Sequence, residues 1–238
     1  MAELVKDARV IIGGEQQEGA RGAYEIINPA TEEVVGLAPQ VSVEQSIAAT
    51  AAAAEAFDSW SRTSPEERAN LLERAADLWD ARKDEFVPLV QAETGATLRV
   101  AKTMQVPQVS ARFRRYAKGA MESRITPLEP QVVGTTPLAP GGIISAVAHR
   151  AAVGVVSCIT SYNFPVVNMA GKIGPALAMG NTVVVKPAPQ DPLAVLKLVE
   201  VFQEAGFPPG VVNVVCGTDV DASEALVSSP HVDMVSFT

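Results

Sequence analysis

The sequence predicts an α/β fold built on a doubly wound parallel sheet, and three observations carry that prediction. From Ala152 onward, short β-branched apolar runs alternate with helical stretches, the rhythm of strands buried on both faces and joined by helical crossovers. Before that point, two helices announce their starts at Ser42 and Ser64. Between these parts lies a proline- and glycine-rich stretch, residues 125–150, that breaks every helical pattern.

The elements follow in order. Residues 8–12, 24–27 and 34–38 are β-rich, with a turn at Asn28-Pro29-Ala30-Thr31, and suggest an edge-strand arm. Ser42 and Gln45 have capping-box spacing, and Ile47, Ala51, Ala54 and Phe57 recur every three or four residues, so a helix is expected over 43–60. Ser64-Pro65-Glu66-Glu67 opens a second helix through Leu71, Leu72, Ala75, Leu78 and Trp79. Helical patterning resumes over 97–123 and is interrupted at Pro107. An irregular strand or hairpin segment is expected over 125–150. Strands then fall at 153–160, 182–186, 211–216 and 233–237, with helices at 166–178, 192–205 and 222–228. The chain thus divides into an arm and helical part (1–124), the hairpin segment (125–150) and a nucleotide-type core (151–238). Ligands of such a sheet gather at the carboxyl ends of its strands, here Thr160, Lys186, Cys216-Gly217 and Thr238.

Composition narrows the function. The 238 residues are 47% hydrophobic and 19% charged, which excludes disorder and suits one or two domains. A net charge of −8 lacks the basic footprint of a nucleic-acid or anionic-membrane binder, which favours small-molecule chemistry. Two cysteines cannot build a disulfide framework or a structural zinc site, and no metal centre is expected. The acidic, alanine-rich start lacks the form of a signal peptide, so a reducing, cytoplasmic setting is expected. The apolar runs fall far below the roughly 18 residues of a spanning helix.

The chemistry-bearing residues cluster at the first two strand ends. Cys158-Ile159-Thr160-Ser161-Tyr162-Asn163-Phe164-Pro165 puts a carboxamide at a strand-to-helix turn, and Gly180-Asn181-Thr182-Val183-Val184-Val185-Lys186-Pro187 puts an ammonium at the end of the next strand. Taken singly, such residues are a helix-capping asparagine and a solvated strand end, with Lys172 an ordinary helix-surface charge. Together with Lys172-Ile173-Gly174-Pro175-Ala176-Leu177, Asn28-Pro29-Ala30-Thr31, Glu93-Thr94-Gly95 and Pro208-Pro209-Gly210-Val211-Val212-Asn213, they closely resemble the aldehyde dehydrogenase superfamily in order and spacing.

The resemblance implies a Rossmann-like sheet, NAD or NADP as cofactor, an aldehyde substrate and a cysteine thiohemiacetal and thioester mechanism. It assigns Asn163 to the oxyanion and Lys172 to proton transfer near the site. It places cofactor contacts at Ile159, Thr160, Ser161, Tyr162, Lys186, Ala188, Pro189 and Gly217, with Lys186 on the adenosine ribose. It also implies that residues 125–150 are an oligomerisation arm of a homodimer or homotetramer. Three departures stand out. Pro189 takes the place of an acid that reads the ribose hydroxyls, Tyr162 that of a commoner tryptophan, and the loop after Gly217 lacks a second glycine. The general-base glutamate and nucleophilic cysteine expected after a strand like 232–238 are not in these residues, so the chain is expected to be the inactive cofactor-binding half of a longer enzyme. Cys158 and Cys216 sit in apolar strands and read as packing residues. The alternatives are a non-catalytic nucleotide-binding or subunit-pairing module, or half of an acyl-CoA or acyl-phosphate reductase of the same fold.

Overall fold

Gly13 and Gly14 both sit at positive φ, 62° and 89°, the backbone that a two-residue turn between antiparallel strands requires. In the computed structural model, which describes residue 5 and residues 7–238, that turn joins β1 (Val10–Ile12) to β2 (Glu15–Gln17). The polar sequence of β2 hides it from hydrophobic patterning, yet it forms one edge of the main sheet. β3 (Ala23–Ile27) and β4 (Val34–Pro39) pair antiparallel as a separate sheet. In the turn between them, Asn28 Oδ1 accepts from the Ala30 N–H at 2.9 Å.

α1 (Val43–Ser61) starts at the expected capping box, with Ser42 Oγ accepting from Gln45 N and Gln45 Oε1 accepting from Ser42 N, both at 3.3 Å. α2 (Pro65–Ala81) begins at Ser64, whose side chain accepts from Glu67 N at 3.0 Å. Directly after it comes α3 (Lys83–Thr94), which the sequence reading does not anticipate because Pro88 lies in its interior. Burial of Phe86, Leu89 and Val90, and stacking of Phe86 on Trp79 at 3.7 Å, outweigh that local penalty. The stretch expected over 97–123 is split into α4 (Leu98–Val100), a π-helical turn (Ala101–Gln105) and α5 (Val106–Ala120). Pro107 has no N–H for the Thr103 carbonyl, and the wider π turn absorbs the interruption.

β5 (Ile125–Pro127), β6 (Gln131–Val133), β7 (Gly142–Ile144) and β8 (Val147–His149) form two nested antiparallel ladders, β5 with β8 and β6 with β7. Every residue in these four strands is exposed. The core elements follow: β9 (Val155–Ile159), α6 (Pro165–Ala178), β10 (Thr182–Lys186), α7 (Leu193–Ala205), β11 (Val212–Val214), α8 (Val220–Ser228) and β12 (Met234–Phe237).

The main sheet has the order β12-β9-β10-β11-β1-β2. Its first four strands are parallel, but β1 runs antiparallel to β11, so the purely parallel sheet expected from sequence is a mixed one. The N-terminal hairpin of the expected arm supplies the antiparallel ladder partners at the open edge of β11. Strand order steps outward from β9 to β11 and returns to the far side of β9, so the direction reverses between β9 and β12. α1 packs against the sheet and α8 on one face, while α6 and α7 cover the other and carry α2 and α5 outside them. The layers are pinned by buried polar bonds. Trp60 Nε1 donates to the Asn181 carbonyl at 3.1 Å, Thr182 Oγ1 to the Ala53 carbonyl at 2.9 Å, and buried Arg68 Nε to the Ala178 carbonyl at 3.0 Å. Gly154, at φ 133°, leaves its Cβ space to the Asp233 carboxylate, which accepts from Val155 N at 2.8 Å and ties β9 to the start of β12.

Candidate cofactor and active site

β9 ends at Ile159, and the chain turns through Thr160-Ser161-Tyr162-Asn163 into α6. The turn is held by its own polar groups. Ser161 Oγ donates to Asn163 Oδ1 at 2.8 Å, and Asn168 Nδ2, one turn into α6, donates to Ser161 Oγ at 3.3 Å and Asn163 Oδ1 at 3.5 Å. With its oxygen so occupied, the exposed Asn163 presents its Nδ2 as an uncommitted donor. Asn168 is a positioning residue that sequence reasoning missed, since it sits in an otherwise apolar helical run.

At the end of β10, Lys186 is half-buried and its Nζ donates to the Pro187 carbonyl at 3.4 Å. Burial pulls its pKa below the usual lysine value, and the nearby Cys216 opposes that pull. Beyond β11, Gly217 packs against Gln40, whose Oε1 accepts from Thr218 N at 3.0 Å. Tyr24 Oη and Cys216 Sγ lie 3.2 Å apart. Cys158 and Cys216 are fully buried, and burial pushes each thiol up to about 12, so both remain protonated across neutral pH.

A 740 Å³ cavity opens at these strand ends, and Tyr162, Asn163 and Pro189 line it together. The remaining strand-end residues singled out from sequence (Ile159, Thr160, Ser161, Lys186, Ala188 and Gly217) lie outside its wall. Lys172 stands apart from this group, about 10 Å along α6 from the helix start at 1.5 Å per residue. Its ammonium donates to Ser236 Oγ on β12 at 3.2 Å, and burial lowers its pKa. His149 is exposed on β8, and His231 is exposed in the turn after α8. Among the described residues, no group of three or more His, Cys, Asp and Glu could hold a metal, and no helix is long and apolar enough to cross a membrane.

The cavity wall also holds a buried carboxyl pair that the sequence reading did not connect. Glu93, at the end of α3, accepts from Leu193 N at 2.8 Å and Ala194 N at 3.0 Å and so caps α7, which lacks a side-chain cap of its own. Asp191 is buried beside it, and its Oδ1 has no partner. Burial pushes Glu93 up to about 8 and Asp191, with Glu93's charge adding to the effect, to about 9. Two N–H donors and the helix N-terminus favour the charged form of Glu93, so Asp191 is the member that keeps a proton. Both folded values lie above the unfolded ones, so the folded state binds more protons between pH about 4 and about 9 and loses stability as pH rises through that window. The urea midpoint is expected to fall from pH 5 to pH 9 and the fall to flatten in Asp191→Asn; a midpoint that climbs with pH in both proteins contradicts this pairing.

The family is decided by comparison of the whole chain. The model of the aldehyde dehydrogenase family matches residues 16–238. The chain belongs to the aldehyde dehydrogenase family. It is 36% identical over 89% of its length to 2-aminomuconic semialdehyde dehydrogenase of Danio rerio, covering 42% of that protein. It is 38% identical over 97% of its length to phenylacetaldehyde dehydrogenase of Pseudomonas fluorescens, covering 46% of that protein. An aldehyde dehydrogenase from Pseudomonas syringae, solved with NAD+ and octanal, superimposes with a TM-score of 0.85 at 32% identity, over 97% of this chain and 45% of that one. The chain thus spans a little under half the length of these relatives. Membership of this family gives NAD(P) as its cofactor class.

Proposed function

We propose that this chain supplies the cofactor-binding part of an enzyme that oxidises an aldehyde to a carboxylic acid with NAD(P), and that Asn163 is its oxyanion donor. The observation that carries the reading is the Asn163 side chain, whose oxygen is held by Ser161 and Asn168 and whose Nδ2 is left over for a ligand. A fixed N–H aimed where negative charge develops on the substrate oxygen is worth far more than a mobile one. The bound dinucleotide supplies a hydride acceptor; the chain's own residues bind and orient. Lys186, with N–H groups beyond its single bond to Pro187, holds the adenosine ribose. The 159–162 turn, Ala188, Pro189 and Gly217 flank the cofactor, and Lys172 exchanges a proton with its surroundings through Ser236. The 1–124, 125–150 and 151–238 divisions serve as helical support, subunit-pairing arm and cofactor core.

The two cysteines of this chain are buried thiols, so neither serves as nucleophile. The thioester-forming cysteine and the general-base glutamate come from beyond these 238 residues, and the 238-residue chain alone turns over no aldehyde. The exposed apolar side chains of the nested hairpins, Leu138 at 97% and Val132 at 85% exposure, suit pairing with another subunit in a homodimer or homotetramer. Two reduced cysteines suit a cytoplasmic setting.

The test of this reading compares NAD(P)H formation by the purified chain with that of the complete polypeptide, each given an aldehyde. The chain is expected to be silent and the complete polypeptide active; turnover by the chain alone overturns the division of labour. Cofactor binding gives a second check. Lys186→Ala removes a charged hydrogen-bond donor and is expected to weaken NAD+ binding by about 10- to 100-fold, from the roughly 1.5–3 kcal/mol of such bonds. Pro189→Glu restores a carboxylate that repels a 2′-phosphate, so calorimetric titration is expected to show NADP+ weakened by about tenfold or more relative to NAD+.

A further inference from the structure

Arg21 stands where the N-terminal arm meets the loop after β11, on the short connection between β2 and β3. Its backbone N–H donates to the Gln40 carbonyl at 2.9 Å. The Gln40 side chain in turn accepts from Thr218 N at 3.0 Å and from Thr218 Oγ1 at 3.2 Å, directly after Gly217. Gln40 thus clamps the arm to the loop, and the Arg21 guanidinium comes to rest on the carboxylate of Asp219, the residue that caps α8. One Asp219 oxygen accepts from Asp221 N at 2.9 Å, and the other faces Nη1 of Arg21. Arg21 is exposed, and Asp219 is its one ion-pair partner among the described residues.

A second cavity, of 460 Å³, opens at this junction and is lined by Arg21, Ala23, Tyr24, Gln40, Thr218 and Asp219. It shares Tyr24 and Thr218 with the wall of the 740 Å³ cavity that holds Pro189. Tyr24 Oη lies 3.2 Å from Cys216 Sγ, and Cys216 is the neighbour whose thiol bears on Lys186. Tyr24 therefore adjoins both the lysine assigned to the adenosine ribose and the space in front of Arg21.

We propose that Arg21 takes the 2′-phosphate of NADP, so that NADP rather than NAD is the preferred cofactor. This inference rests on the assignment of Lys186 to the adenosine ribose, whose 2′ position is where the two dinucleotides differ. At Pro189 no carboxylate stands to bind the ribose hydroxyls and repel a phosphate. Asp219 holds one edge of the guanidinium in place and leaves its remaining N–H groups for phosphate oxygens, the paired-donor geometry that suits arginine to phosphate. A phosphate monoester carries about −1.5 to −2 charges at neutral pH, so its attraction to Arg21 and Lys186 together outweighs repulsion from Asp219. That is the single carboxylate in this cavity's wall, and its charge is already shared between Arg21 and the start of α8.

The experiment titrates the complete enzyme with NADP+ and with NAD+ by calorimetry and follows the ratio of the two Kd values, with kcat/KM for each cofactor measured alongside. The wild type is expected to bind NADP+ more tightly. In Arg21→Ala the preference for NADP+ is expected to fall by about 10- to 100-fold, the loss of a charge-assisted pair, with Arg21→Lys intermediate because a point charge loses the paired geometry. Arg21→Ala also uncovers the Asp219 charge, so Arg21→Ala/Asp219→Asn is measured beside it; asparagine keeps the helix cap, and the preference is expected to stay about fivefold or more below the wild type. A double variant that regains the wild-type preference overturns the proposal, since the bare carboxylate then accounts for the single variant. An unchanged preference in Arg21→Ala overturns it too, as does an equal loss with both cofactors, which marks a structural role. A wild type that binds NAD+ more tightly than NADP+ overturns it while leaving the dehydrogenase reading intact. A wild type that binds neither cofactor and oxidises no aldehyde with either overturns that reading as well.

Discussion

Asn163→Ala is expected to lower kcat of the complete enzyme by about 10²–10³-fold, the loss that follows removal of one oxyanion donor, or about 2.7–4 kcal/mol of transition-state stabilisation. The loss should appear in kcat and kcat/KM alike, since the bond is made to charge that exists only in the transition state. Two features make the effect large. The carboxamide is oriented before substrate arrives, because Ser161 Oγ at 2.8 Å and Asn168 Nδ2 at 3.5 Å both donate to its oxygen. It also sits in the cavity wall beside Tyr162 and Pro189. Asn168→Ala removes one of the two groups that orient it and should produce a smaller fall, with NAD+ affinity unchanged. Equal losses in the two variants would mean that Asn163 acts only by shaping the turn.

The second large effect concerns stability. Trp79 is fully buried, stacks on Phe86 at 3.7 Å and donates from Nε1 to the Val106 carbonyl at 2.7 Å. It thereby joins α2, α3 and the start of α5, immediately after the π turn. Trp79→Ala is expected to destabilise the fold by about 3–5 kcal/mol through the cavity it leaves, and the orphaned carbonyl adds about 1–3 kcal/mol. For a chain of this size that corresponds to a fall in Tm of roughly 8–30 °C by calorimetry. Trp79→Phe keeps most of the apolar volume and loses the hydrogen bond, so it should lie well below half that drop. A fall of under about 2 °C for the alanine variant would mean that the junction relaxes around the cavity.

The elements that were legible in the sequence are those whose signals are local. Ser42 with Gln45 and Ser64 with Pro65 mark helix starts through groups three residues apart, and the β9-to-β12 alternation shows in apolar runs. Ordered motif blocks singled out Asn163 and Lys186, and the structure puts both at strand ends. What was missed depends on tertiary structure. β2 is polar and exists because two glycines turn the chain back along β1. α3 tolerates Pro88 because Phe86 finds Trp79. Glu93 and Asp191 come together only when α3 docks on the start of α7, and no pattern in either segment announces the meeting.

The most direct measurement is a titration of the isotopically labelled 238-residue chain with NAD+, followed by amide chemical shifts. Shifts should concentrate at Ile159 to Asn163, Lys186, Ala188 and Gly217, and should weaken in Lys186→Ala. Shifts confined to other faces of the molecule, such as the groove between α1 and α8, or none at all from a folded chain, would contradict the placement of the cofactor at the ends of β9, β10 and β11.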